Sequence, residues 1–201
     1  VIATSYSMFV VGFSSAIGTL INIKKQLIEY KTAFIFIFPA LISVFLTRRF
    51  IIPNLPDILL SIQSFVLTKE MALMLLFSVI ILLSAVFMMK KPKTDIPQNL
   101  NPPKKYSLLV FIGLGVGLLT GLVGAGGGFI IVPALVLFAR LTVKQAVATS
   151  MIIIKFNSLI GFSADLSLID IKWDFLVVFT TLSILGIFVG TYISNYIRES
   201  T

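Results

Sequence analysis

The 201-residue chain contains no cysteine and no histidine. Without cysteine there is no disulfide, no thiolate nucleophile and no sulfur ligand for a metal. Without histidine the commonest metal ligand and the side chain that titrates near neutral pH are missing too. An ordinary hydrolytic enzyme is hard to assemble from what remains, and no cofactor is implied. Charge is also scarce: 12% of the residues are Asp, Glu, Lys or Arg, against roughly 25% in soluble domains. Hydrophobic residues make up 58% of the chain and the mean hydropathy is +1.07. Too few polar side chains exist to cover a globule of this size with a wetted surface. The first residues, VIATSYSMFVV, have neither the basic start nor the cleavage site of a signal peptide, and a first residue other than Met reads as the start of a fragment.

What is present is a succession of apolar runs. At about 20 residues per crossing and ~1.5 Å rise per residue, the length allows about six or seven membrane segments. The net charge of +8 lies in short Lys/Arg clusters between those runs, the pattern of membrane-protein loops and not of a nucleic-acid-binding surface. Ile2 to Ile23 forms the first span, and Ala33 to Leu46 the second, crossing fully if Arg48 and Arg49 snorkel to the interface. Pro53 and Pro56 break the helix. The segment Ile58 to Leu67, mixing Ser and Gln with apolar residues, is expected to form an interfacial helix. Met71 to Met89 is a further span. Tyr106 to Ala139 is longer than one upright helix needs and is read as two helices meeting at a turn near Ala125 to Gly128. Val143 to Leu168 and Phe175 to Ile197 supply the last two spans.

An internal repeat organises these spans. Val1-Ile2-Ala3-Thr4-Ser5 returns as Ala146-Val147-Ala148-Thr149-Ser150. Ser15-Ala16-Ile17-Gly18 resembles Ser158-Leu159-Ile160-Gly161, and Asn22-Ile23-Lys24 resembles Asp170-Ile171-Lys172. The chain thus divides into a first repeat at 1–92, a linker at 93–105 and a second repeat at 106–201. Lys24, Lys25 and Lys31 after the first span, and Lys90, Lys91, Lys93, Lys104 and Lys105 around the linker, mark cytoplasmic loops. If Tyr106 to Ala139 enters and returns, the loop carrying Asp165, Asp170, Lys172 and Asp174 falls outside, and the repeats are inverted. A single crossing there would make them parallel.

The strongest local signal is the run Gly121-Leu-Val-Gly124-Ala-Gly126-Gly127-Gly128-Phe-Ile-Ile-Val-Pro133. Glycines at this density let the backbone leave the helix, freeing amides and a helix N-terminus to face a ligand, for which an anion is the natural guest. Gly121 and Gly124 can equally serve close helix packing. No Gly-Lys-Ser/Thr follows, so nucleotide binding is not expected. The Ala-Thr-Ser motifs place hydroxyls where they can cap amides or donate to an oxyanion. Lys155 stands alone in the run MIIIKFNSLIGF, a position that attracts an anion, pairs or snorkels. Asn157 is suited to interhelical hydrogen bonds or to the ligand. Asp165 and Trp173 read as an exposed helix end and an interfacial anchor.

The Gly-Ala-Gly-Gly-Gly stretch with its following proline, then Ala-Val-Ala-Thr-Ser and Asn157-Ser158-Leu159 with Gly161, resembles the second half of TauE/SafE proteins. Ala3-Thr4-Ser5 resembles the counterpart in the first half. The resemblance runs over essentially the whole chain, with the first half lacking its initial helix and Gly-rich turn and the second its closing helix. It implies an all-α polytopic protein of the cytoplasmic membrane that moves small sulfur oxyanions or organosulfonates by alternating access, without enzymatic activity. It also implies a midplane site lined by Gly124, Gly126, Gly127, Gly128, Thr149, Ser150 and Asn157, with Thr4 and Ser5 from the first repeat; Lys155 is added from its position alone. The expected partners are a small anion and the lipid bilayer, with no nucleic acid; homo-oligomerisation, an anion channel and a non-transporting assembly or anchoring protein stay open.

Overall fold

A computed structural model describes residues 2–56, 58–62, 65–89, 106–124, 126–166 and 170–196. The linker at 93–105, with its lysines, and Ala125 lie outside the described residues. The elements in chain order are α1 (Ile2–Lys24), α2 (Tyr30–Leu46), a wide π turn (Thr47–Ile51), α3 (Ile52–Asn54), β1 (Ile58–Ile62), β2 (Phe65–Thr68), α4 (Lys69–Met89), α5 (Tyr106–Val123), α6 (Gly128–Phe138), α7 (Val143–Asp165) and α8 (Trp173–Tyr196). Among the described residues, six helices are long and apolar enough to cross a membrane: α1, α2 with its extension to Asn54, α4, α5, α7 and α8. The long apolar run from Tyr106 does break at the glycines, giving α5 and α6. At ~1.5 Å per residue the 11 residues of α6 reach roughly 16 Å, about half a hydrocarbon core of ~30 Å.

One element differs from the sequence expectation. Ile58 to Leu67 is not an interfacial helix; β1 and β2 pair antiparallel, with Ile58 opposite Thr68 and Ile62 opposite Phe65. The β-branched residues Ile58, Ile62, Val66 and Thr68 favour this ribbon over a helix. Two prolines at Pro53 and Pro56 also prevent α3 from continuing.

The centre of the bundle is built on two close seams. Along α5, Gly113, Gly117 and Gly121 recur every four residues and face Phe36, Ala40 and Thr47 of the α2 segment. This is the small-residue spacing that lets membrane helices approach closely. Ser43 Oγ donates to the Leu114 carbonyl (2.8 Å) across the same seam. The second seam joins α1 and α7, which run antiparallel: Ser5 lies by Asp165, while Gly161, Leu159 and Met151 meet Met8, Gly12 and Gly18 in turn. Between the seams sits an apolar core including Phe36, Ala40, Leu109, Ile131, Leu135 and Ile153. α4 and α8 are the outermost helices, and their exposed Leu, Val, Met and Phe side chains suit contact with lipid tails.

The connection from α6 to α7 is compact. Arg140 adopts a left-handed φ of 55°, and the amides of Ala139 and Leu141 both return to the Leu135 carbonyl. Thr142 and Gln145 then form a reciprocal capping box that starts α7.

The tight seam makes a prediction within one helix. A Cβ on Gly117 would stand 2.5 Å from the Ala40 carbonyl oxygen, whereas one on Gly115 meets nothing within 4 Å. Gly117→Ala should therefore destabilise the protein by roughly 1–3 kcal/mol through overpacking, and Gly115→Ala should be neutral or slightly stabilising. Thermal unfolding in detergent measures both.

Candidate functional site

The Gly-rich break is where the backbone turns inside the bundle. Gly124, Gly126 and Gly127 have φ values of 73°, 69° and 77°, a left-handed region that costs other L residues about 1–2 kcal/mol each. α5 ends as the Gly124 amide donates to the Thr120 carbonyl (2.8 Å). α6 begins at Gly128 with Gly127 as its N-cap, and no side chain caps it. The positive end of the α6 dipole thus opens directly onto the turn.

Thr120 Oγ1 and Ser158 Oγ, both fully buried, lie against this break with their bonding capacity unused, and both amide atoms of the buried Asn157, next to Ser158 in α7, are likewise unbonded. Thr120 and Ser158 lie on either side of the turn. A Cβ on Gly127 would fall 2.2 Å from the Thr120 hydroxyl, and one on Gly126 3.1 Å from the Ser158 hydroxyl. Asn157 stands one helical turn from Ile153 in the core and one turn from Gly161, which faces Met8 and Val44. Each buried polar group left without a partner costs about 1–3 kcal/mol, so such a concentration points to a hydrogen-bonding guest or water.

Beside the turn lies a second, fully bonded cluster. Arg48 is 1% exposed and Asp165 0%. The two form a bidentate ion pair, with Arg48 Nε donating to Asp165 Oδ1 (3.2 Å) and Nη2 donating to Oδ2. Ser5 Oγ donates to Asp165 Oδ2 and accepts from Arg48 Nη2 (3.0 Å). Arg48 Nη1 also reaches the Gly121 carbonyl oxygen (3.4 Å) and Thr4 Oγ1 (3.4 Å). The π turn explains how Arg48 comes to be inside. The Ile52 amide donates to the Thr47 carbonyl five residues back, and the wider turn leaves Thr47 and Arg48 buried while Arg49 and Phe50 face outward. π turns of this kind recur at functional sites.

These positions correct two expectations. Arg48 does not snorkel, because its guanidinium meets a carboxylate and hydroxyls inside the bundle. Asp165 is not an exposed helix end, because the antiparallel α1 and the turn after α2 cover it. Neither was expected in a site, and Thr120 and Ser158 were likewise missed; the available signal for the first two was an ionisable residue within or beside an apolar run, which in a membrane calls for a partner.

The remaining expected residues divide into two groups. Gly124, Gly126, Gly127, Gly128, Thr4 and Ser5 come together around the turn and the ion pair, and Asn157 is buried on α7 next to Ser158: a Cβ on Gly124 would lie 2.5 Å from Thr4 Cβ and 2.9 Å from Arg48 Nη1, and one on Gly128 3.0 Å from Ile154. Thr149 and Ser150 sit near the other end of α7, at ~1.5 Å per residue roughly 22 Å along the helix from Asp165. Thr149 Oγ1 accepts the Glu29 amide (3.1 Å) at the start of α2, and Ser150 Oγ donates to the Val147 carbonyl (2.8 Å). Lys155 is half-buried, its Nζ 5.0 Å from the Phe156 ring centroid. Among the described residues, no cluster of three or more acidic side chains offers a metal site.

Over residues 1–201 the chain matches the family described as Sulfite exporter TauE/SafE. The chain belongs to this family. It is 26% identical over 188 residues to the probable membrane transporter protein YunE of Bacillus subtilis, a match covering 86% of this chain and 64% of that one. It is 31% identical over 160 residues to the probable membrane transporter protein MJ0441 of Methanocaldococcus jannaschii, covering 79% of this chain and 54% of the relative. The TauE/SafE chain thus spans less than two thirds of the length of both. No solved structure gives a significant match. Family and helices together make it a multi-pass membrane protein.

The ion pair can be tested by removing its partners singly and together. Arg48→Met leaves a buried carboxylate without its cation and should lower stability by roughly 3–5 kcal/mol, while Arg48→Met combined with Asp165→Leu should recover most of that loss. Unfolding midpoints of both singles and the double variant in detergent close the cycle; additive losses would mean that the two residues do not depend on each other.

Proposed function

We propose that this chain is the core of a secondary transporter that carries a small anion, such as sulfite or an organosulfonate, across the cytoplasmic membrane by alternating access. The observation that carries the reading is the uncapped start of α6, opening between the buried, unpartnered Thr120 and Ser158. Main-chain amides and neutral hydroxyl and amide donors can replace the water around an oxyanion, and Arg48 lies next to them. Broken helices whose positive half-helix ends meet an anion within the membrane are a recurrent device of secondary transporters. The relatives named as probable membrane transporters and the sulfite-exporter family description support the same reading.

We also read the chain as two inverted repeats joined by the linker at 93–105. The antiparallel packing of α1 on α7 supports this: the helix carrying Ala3-Thr4-Ser5 and the one carrying Ala148-Thr149-Ser150 run in opposite directions, with their motifs at opposite ends of the pair. Thr149 and Ser150 then belong with the opposite face of the transporter and not with the ligand-binding turn.

The test is flux through the full-length protein in proteoliposomes, with sulfite, sulfate, thiosulfate and organosulfonates offered in turn. Saturable uptake that shows counterflow is expected for at least one of them. Thr120→Val and Ser158→Ala each remove one neutral hydrogen bond worth ~1 kcal/mol and should raise the half-saturating concentration about fivefold. Gly127→Leu should abolish flux. Flux that never saturates would indicate a channel, and none for any anion would leave an assembly or anchoring role.

A further inference from the structure

The guanidinium of Arg48 and the carboxylate of Asp165 sum to no net charge, and both are buried. An anion held at the Gly-rich turn would come within reach of this pair, because a Cβ on Gly124 would lie 2.9 Å from Arg48 Nη1. It would add a third charge to this buried space, leaving one cation against two anions. Buried charge without a partner is strongly disfavoured, and two anions sharing one site favour protonation of one of them. Neutrality returns if Asp165 takes up a proton.

We propose that the anion and one proton occupy this site together, the proton on Asp165, so that the protein couples anion movement to proton movement in the same direction. The proposal rests on the transport reading above. In the step, a proton from the water phase open to the site forms an O–H bond on Asp165. The Arg48 N–H donors leave the carboxyl group for the anion's oxygens, and no electrons are transferred. The site holds one guanidinium and one carboxylate before, and one guanidinium and one monovalent anion after. Its net charge is zero in both states, so a full cycle moves no net charge.

The neighbours of Asp165 suit both states. Ser5 donates to the carboxylate now, and a hydroxyl can turn to accept from a carboxyl O–H. A lysine or a main-chain amide in its place could serve the charged form alone. Arg48, on the π turn, is the charged group that bonds Asp165. Of the other titratable or charged groups on the elements packed there, Arg49, Lys172 and Asp174 are exposed, and Tyr6 on α1 uses its hydroxyl to accept the Lys172 amide (2.8 Å). From α5 the cluster receives the Gly121 carbonyl, which bonds Arg48.

The experiment uses the full-length protein with methanesulfonate and isethionate, monovalent anions that keep their charge between about pH 5 and 8, so that any pH effect reports on the protein. Uptake of one proton per anion bound makes binding tighten as pH falls, by about tenfold per unit where Asp165 is charged in the free protein. In proteoliposomes, an inwardly directed proton gradient should drive accumulation, and a membrane potential alone should not. Asp165→Asn should flatten the pH dependence of binding and remove the response to the gradient, whereas Asp165→Glu should keep both. If Asp165→Asn does not fold, the wild-type measurements decide. Saturable counterflow that ignores both pH and the proton gradient would overturn the coupling and leave the transport reading standing. Absence of saturable flux for these anions and for sulfite would overturn both.

Discussion

An arginine and an aspartate placed inside an apolar bundle must find each other, and the geometry around Arg48 and Asp165 follows from that requirement. A charged side chain in the middle of a membrane helix is disfavoured by several kcal/mol even after local adjustment, so the pair fixes the end of α7 against the turn that follows α2. Its hydrogen bonds bring in α1 through Thr4 and Ser5, and α5 through the Gly121 carbonyl. Four segments distant in sequence are thereby tied at one point. The π turn at 47–51 and the absence of a side chain at Gly124 are both conditions for it. The first turns Arg48 inward, and the second leaves room for its guanidinium beside Thr4.

The glycines serve this arrangement in two distinct ways. On α5 they are helical and small, letting α2 approach until Ala40 touches the α5 backbone. At 124, 126 and 127 they are left-handed and end the helix. The same short stretch of chain therefore switches from packing to turning at Gly124, next to the ion pair. Beyond it the polar groups change character as well. Arg48 and Asp165 have their partners within the protein, whereas Thr120 and Ser158 do not. A bonded cluster holds the bundle in place; on the transport reading, the unbonded groups beside it take the guest.

Much of this fold was legible in the chain itself. Apolar runs, prolines and Lys-rich loops locate the membrane helices, and the Gly-Ala-Gly-Gly-Gly run locates the break between α5 and α6. Tertiary partnership was not legible. Arg48 and Asp165 are 117 positions apart, and each taken with its immediate neighbours looks like a residue at the edge of a span. Arg49 beside Arg48 strengthens that impression, since two adjacent arginines resemble an interfacial anchor. The Ala-Thr-Ser motifs show the converse. They are alike as strings, yet one bonds the ion pair and the other accepts the Glu29 amide at the far end of α7, because antiparallel helices carry equivalent positions to opposite ends. The β1–β2 ribbon departs from the expected interfacial helix for a local reason: a short apolar stretch with a few polar residues fits either, and the β-branched residues at 58, 62, 66 and 68 favour strands.

On the transport reading, the balance of donors at the turn has a consequence for release. A lysine pointed into the site would hold an anion by a permanent charge, and an anion bound too firmly cannot leave on the other side. Lys155, the one lysine within α7 beyond its first turn, is instead half-buried with its ammonium near the Phe156 ring. The cation next to the turn is Arg48, already neutralised by Asp165. An arriving anion therefore meets main-chain amides and neutral donors first, and gains the guanidinium only as Asp165 gives it up. Attraction is then conditional on the carboxylate and reversible with it, which is the property that a carrier needs and a static binding site does not.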